Sequence, residues 1–249
     1  GTTLGGDDGI AVAYGLALLD SNEIEHPRLE MIFTIDEETS MGGVQVIDLS
    51  PLKGHIMLNI DSDEEGVFLT SSAGGCETSV TLPVKRVSME GVVCKVTVGG
   101  LLGGHSGAEI HKERANASKL MGRVLKALQD KVEFGVAELA GGSKHNAITR
   151  NCDATIVLNA ADVDTAKEIV ASIEAELKSE YRVADPDLFV SFEAGETASK
   201  EVMDPTSQTK TIFLLREVPF GVMAMSTDIE GLVETSTNIG IVRLSEDEF

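Results

Sequence analysis

Basic residues are scarce in this 249-residue chain: 20 lysines and arginines stand against 41 aspartates and glutamates, a formal charge of −21. Nucleic acid and anionic membranes both require a basic face, so neither is expected as a partner, and cations are the more natural guests. Most of the acids need no explanation beyond solubility. Cysteine is also sparse. Cys76, Cys94 and Cys152 are odd in number, far apart and without a CxxC pair, which argues against a disulfide framework or a cysteine-based zinc site and fits a reducing cytoplasm. No apolar run reaches the roughly 18 residues that span a bilayer, and no charged-then-apolar leader opens the chain.

What is present is a globular composition, 42% hydrophobic, sufficient for one large or two ordinary domains. The first residues, GTTLGGDDGIAVAYG, lack an initiator Met and start at a turn leading into a helix. The last, NIGIVRLSEDEF, stop just after an apolar run, so a fragment is expected.

Helical periodicity marks DDGIAVAYGLALLDSNEI, with Ile10, Ala13, Leu16 and Leu19 on one stripe. RLEMIFTID, HIMLNID and GVFLTSSAGG have the length and apolar content of buried strands, and MGGVQVIDLS that of a short helix. Alternation of this kind implies a mixed sheet with helical cover, so residues 1–75 read as part of an α/β domain.

After Gly75 the pattern changes: strands at 77–86, 91–99, near 132–142, 152–160 and at DLFVSFEAG, with helices over NASKLMGRVLKALQDK and DTAKEIVASIEAELKSEYR. Helices on one face of an antiparallel sheet form an α+β sandwich, assigned here to residues 76–197. Residues 198–249, with a helix in SQTKTIFLLREV and a strand in GLVETSTNIGIVRL, are too little for a domain alone and read as a continuation or return segment.

Three acidic clusters fall where ligand crevices form in such sheets: Asp7-Asp8 at a glycine-rich turn opening a helix, Asp36-Glu37-Glu38 ending one strand and Asp61 ending the next. Converging carboxylates repel one another unless a cation neutralises them. Two divalent metals about 3.5–4 Å apart, bridged by one carboxylate, would polarise a carbonyl and acidify a shared water. Of two adjacent glutamates, one can then hold a metal while its neighbour reaches the water as general base. Other metal and phosphate motifs fail: DSDEEG starts like an EF-hand loop but has Ser72 at position twelve, GGDDG has no P-loop Lys, and HExxH is absent.

Taken in order, GTTLGGDDGIAVA, TIDEETSMGG, NIDSDEEG, GGLLGGHSGAEIHKERANA, GGSKHNAITR and LVETSTNIG resemble the aminoacyl-histidine dipeptidases (Xaa-His dipeptidases, PepD-like), within the dizinc group of peptidase T, carboxypeptidase G and the aminoacylases. The resemblance implies a partial dizinc-peptidase catalytic domain followed by a lid. It implies that Asp7 bridges two zinc ions, that Glu38 binds one of them and Asp61 the other, and that Glu37 is the general base on the bridging water. His105 would stabilise the oxyanion of the tetrahedral intermediate, and Asn146 and Arg150 would contact the substrate, Arg150 by clamping a terminal carboxylate.

That family also needs a His-x-Asp ahead of the bridging Asp and a late His, and none of His26, His55, His105, His111 or His145 stands in a His-x-Asp. Carboxylates alone hold zinc weakly. The implied function is therefore cytoplasmic, zinc-dependent hydrolysis of small peptides of the Xaa-His, carnosine-like type, with the chain as given inactive and its metal site empty or partly filled. A tripeptidase or N-acyl amino acid hydrolase is the alternative substrate reading. A non-catalytic role is another: the exposed edge of the lid could pair with a second copy to give a homodimer.

Overall fold

The computed structural model describes residues 6, 8–37, 41–62 and 64–249. Two compact units are present, residues 1–74 and 75–249.

In the first unit, α1 runs Gly9–Asp20 and α2 Gly42–Val46. The stripe expected to pack inward does not: Ile10, Leu16 and Leu19 are all more than half exposed. Helix α1, apolar on every side, packs instead through Gly15, whose Cα lies close under Met31 and Phe33. None of the three strands expected in this unit is paired among the described residues. Ile56 and Met57 are 86% and 85% exposed, and Phe68 is 85% exposed. An apolar run records a preference for burial but does not supply the neighbouring strand whose N–H and C=O groups complete a ladder.

The second unit holds the extended core and supports the mixed α/β class. Its five-stranded antiparallel sheet has the order β6-β1-β5-β3-β9, built from β1 (Arg86–Gly99), β3 (Phe134–Gly141), β5 (Cys152–Leu158), β6 (Phe189–Met203) and β9 (Val242–Arg243). Two ribbons stand apart from it, β2 (Gly104–His105) with β4 (Ala147–Ile148), and β7 (Gly221–Met225) with β8 (Val233–Thr237).

Helices α3 (Ala117–Gln129), α4 (Val163–Glu180) and α5 (Pro205–Glu217) complete the unit. Leu120, Met121, Val124, Leu125 and Leu128 of α3 share one cluster with Cys94, Val96 and Val98 of β1, Ile156 of β5 and Ile212 and Leu215 of α5. The i, i+4 spacing on α3 meets the period-2 spacing on β1, the pattern that fixes a helix on one sheet face. Helix α3 is capped by Asn116, whose Oδ1 accepts from the N–H groups of Ser118 and Lys119, and α5 by Asp204 before a proline at its first turn.

Two sheet details depart from expectation. Strand β1 runs unbroken through residues 87–90, which the sequence pattern leaves as a gap between two strands, and on through Gly91. The glycine passes so close to β5 that an added Cβ would lie 2.5 Å from Leu158 O. Strand β6 runs on through the polar stretch ETASKEVM because it pairs with the first half of β1, Arg86 opposite Met203 and Glu90 opposite Ser199. Residues 198–249 all lie in this second unit, and the chain's end lies along residues 82–84 through Val84 N–H to Asp247 O and reciprocal bonds between Leu82 and Phe249.

Candidate functional site

In the second unit a loop, residues 101–116, leaves β1 and returns at α3. Ribbon β2–β4 places His105 opposite Ala147, and Ser106 N–H donates to Asn146 O at 2.9 Å, so His105 and Asn146 are neighbours on one ribbon. Arg150, two residues beyond β4, turns back under the loop. Its Nε donates to Leu101 O at 3.1 Å, and a Cβ on Gly103 would lie 2.4 Å from its Cγ. The terminal guanidinium nitrogens have no protein partner among the described residues. His105, Asn146 and Arg150 are exposed. The structure therefore brings these three sequence-assigned residues together on one rim.

The His105 ring has a defined protonation pattern. Its Nδ1 accepts from Gly107 N–H at 3.0 Å and Ala108 N–H at 3.1 Å. An Nδ1 that accepts carries no proton in the neutral ring, so the proton sits on Nε2. His105 thus presents an N–H donor, which is what stabilisation of a developing oxyanion requires.

Residues that sequence reasoning did not single out hold this rim. Asp185 is 1% exposed; its Oδ1 accepts from Leu102 N–H at 2.8 Å and its Oδ2 from Ala115 N–H at 2.7 Å, closing the loop at its base. Asn238 donates to the carbonyls of His145 and Ala147, Asn116 donates to Asn238 Oδ1 and Ile239 O, and Thr149 Oγ1 donates to Ile239 O. The segment LVETSTNIG therefore serves the rim through Asn238. No sequence signal links Asp185 to residues 102 and 115; only the fold brings them together.

Within the loop, Glu109 is the electrostatic centre. It accepts from Lys112 Nζ at 2.7 Å, from His105 N–H at 3.0 Å and from Arg114 Nη1 at 3.2 Å, while Arg114 Nη1 also donates to Gly103 O. The Lys112 ammonium first, and then the His105 N–H, hold the Glu109 carboxyl down at about 2. Gly103 and Gly104 adopt positive φ of 64° and 132°; a Cβ on Gly104 would meet Glu109 Oε2 at 2.4 Å. Glycine is required there both for its conformation and for room.

In the first unit, Glu37 follows Asp36, whose φ of 65° is unusual for a residue with a side chain. The glycine pair after the acids has a packing reason: Gly43 N–H donates to Ile35 O, and a Cβ on Gly43 would lie 2.6 Å from that oxygen. Glu37 and Asp61 are exposed. Asp7 and Glu38, assigned to metal from the motifs, lie outside the described residues. No group of three His, Cys, Asp or Glu is arranged to hold a metal among the described residues.

A surface cavity of the second unit, about 570 Å³ and lined by Met89, Gln129, Val132, Phe134 and Gln208 among others, contains none of the candidate residues.

Comparison with known proteins agrees with the motifs. Residues 96–185 match the family model described as a peptidase dimerisation domain. The chain is 34% identical over 249 residues to the cytosol non-specific dipeptidase of Escherichia coli (strain K12), covering 99% of this chain and 51% of that protein. It superposes on the crystal structure of aminoacylhistidine dipeptidase from Vibrio alginolyticus with a TM-score of 0.75 and 35% identity, covering 100% of this chain and 51% of that one. The chain thus spans about half the length of the relatives it matches. In sequence and in fold it is thus similar to about half of a cytosol non-specific dipeptidase and of an aminoacylhistidine dipeptidase.

Proposed function

We propose that this chain supplies the substrate-binding half of a dipeptide-hydrolysing site of the Xaa-His type. The observation that carries the reading is the rim of the second unit, where a His105 Nε2–H donor and Asn146 are neighbours and Arg150 lies close by with terminal nitrogens unpartnered among the described residues. A dipeptide offers a scissile carbonyl, whose oxygen becomes anionic, and a terminal carboxylate a short distance away. His105 suits the first and Arg150 the second. Glu37 is the candidate general base, taking a proton from the attacking water and passing it to the leaving amine.

Zinc, implied by the resemblance, does not fit the donors of this chain well. The set Asp7, Glu38 and Asp61 is all oxygen, and zinc favours a mixture of nitrogen and oxygen donors. The chain as given is therefore proposed to hold zinc weakly and to be inactive. The test is zinc content after equilibrium with zinc and exhaustive dialysis, together with release of free histidine from alanyl-histidine. Less than one zinc per chain and no release are expected; two tightly held zinc ions or sustained release contradict the proposal. A cytosolic location is proposed from the name of the Escherichia coli relative.

A second, compatible reading is self-association. Residues 96–185 match a dimerisation domain, and β6 lies at the edge of the sheet, paired among the described residues to β1 alone. An unpaired edge can accept a second copy. Sedimentation equilibrium at high concentration is expected to show a dimer, and a monomer throughout contradicts this reading.

A further inference from the structure

The geometry points to Glu109 as a positioning residue: its side chain and backbone together hold the turn that presents the His105 donor. The inference rests on the reading of His105 as an oxyanion donor and adds the group that orients it.

Glu109 touches His105 at both ends of the residue's backbone. Its carboxylate Oε2 accepts the His105 N–H at 3.0 Å, and its own N–H donates to His105 O at 2.9 Å. The turn from His105 to Glu109 is thereby closed. Inside that turn the N–H groups of Gly107 and Ala108 point back at His105 Nδ1. With His105 N, O and Nδ1 all engaged, Nε2 is the ring nitrogen left to present a donor. If the turn opens, the two N–H groups leave Nδ1 and the ring can carry its proton on either nitrogen.

The carboxylate is held in its turn. Oε1 accepts from Lys112 and Arg114, and Arg114 reaches across to Gly103 O, so the clamp ties both flanks of the loop. Gly104 leaves the space that Oε2 occupies. A bland alternative is a surface ion pair of Glu109 with Lys112 and Arg114, worth little and unconnected with the ring. It does not account for the use of Oε2, which faces the His105 N–H rather than either cation.

The test is a long-range ¹H–¹⁵N spectrum of the imidazole nitrogens of the ¹⁵N-labelled full chain, with His105 assigned from His105→Gln, and amide exchange read in parallel. Wild type is expected to carry the ring proton on Nε2 with Nδ1 unprotonated. Glu109→Gln keeps an acceptor oxygen and is expected to keep that state. Glu109→Ala should give a mixture of tautomers and exchange the His105 amide about tenfold faster, the scale of one charge-assisted bond, with the amides of Val96 and Ile156 unmoved. A wild-type ring protonated on Nδ1 overturns the proposal without any variant, as does a Glu109→Ala spectrum identical to wild type. Loss of protection at Val96 and Ile156 along with the ring change assigns Glu109 a merely structural role and also overturns it. No peptide or metal enters the measurement, so its outcome is separate from that of the dipeptidase reading.

Discussion

Replacing Asp185 with alanine should destabilise the second unit more than any other single change at the rim. The carboxylate is 1% exposed and accepts two backbone N–H groups, from Leu102 and Ala115. Removing it leaves both donors without partners. A buried donor left unmade costs about 1–3 kcal/mol. Ala115 is fully buried, so its N–H carries the upper part of that range, while Leu102 is 47% exposed and its N–H can recover part of its bond from water. Together they amount to roughly 3 kcal/mol. Asp185→Asn keeps one acceptor oxygen but turns an N–H₂ toward a donor, and should lose about half as much.

The assay is urea unfolding followed by far-ultraviolet circular dichroism, because the chain has no tryptophan. With a slope of about 2 kcal/mol per molar, the midpoint for Asp185→Ala should fall by about 1.5 M at unchanged slope. The same variant should expose the Leu102 and Ala115 amides to exchange. A midpoint that moves less than about 0.3 M would refute the reasoning, since it would mean that the two N–H groups find water or other partners as soon as the carboxylate leaves.

Three further outcomes follow from the same structure. Burial pushes the Cys152 thiol up to about 12 and also raises that of Cys94, while Cys76 is exposed; Ellman's reagent at pH 8 should therefore titrate one thiol in the native chain and three in urea, and two or more fast native thiols would contradict this. Glu109 has a folded value depressed to about 2 from its ordinary 4.5, so its contribution is full above about pH 4.5 and is lost as pH falls through about 2. The His105 ring pattern should accordingly show no step from carboxylate protonation at Glu109 between pH 7 and 5, and such a step in wild type that vanishes in Glu109→Gln would contradict it. Gly104→Ala forces a side chain onto a backbone at φ 132° and into Glu109 Oε2; a loss of about 1–3 kcal/mol is expected in the same urea assay, and wild-type stability would show that the loop relaxes freely.

The sequence and the structure agree best where local signals and packing point the same way. The helix read over NASKLMGRVLKALQDK is α3, and its apolar side chains share the core cluster with those of β1. The strand read at 152–160 is β5, with Cys152, Ala154 and Ile156 in the core cluster. The first unit shows the opposite case. HIMLNID is as apolar as a buried strand, yet Ile56 and Met57 are almost fully exposed and unpaired, because a strand is completed by partners that its own pattern cannot name.

The candidate site divides in the same manner. His105, Asn146 and Arg150 were singled out through the family resemblance of their motifs; β2–β4 brings the first two together, and Arg150 returns beneath the loop. Glu109 sits within the same motif but gives no sign of its role until its two bonds to His105 are seen. Asp185, Asn238 and Thr149 act across 70 to 122 positions of sequence, and contacts of that range are set by topology alone. Glu37 and Asp61 are exposed acids, and what distinguishes them from the other acids of a chain with charge −21 is their motif context.

The central claim is that the rim formed by His105, Asn146 and Arg150 receives a dipeptide through its carbonyl and its terminal carboxylate. Titration of alanyl-histidine into the ¹⁵N-labelled chain, repeated with alanyl-histidine amide, tests it most directly. The account predicts shifts confined to His105 Nε2, the Asn146 side-chain amide and the Arg150 guanidinium, saturating with the free acid and at least tenfold weaker with the amide, as the loss of a two-pronged Arg–carboxylate pair requires. Equal response to both peptides, or no response at these three residues at millimolar peptide, would contradict it.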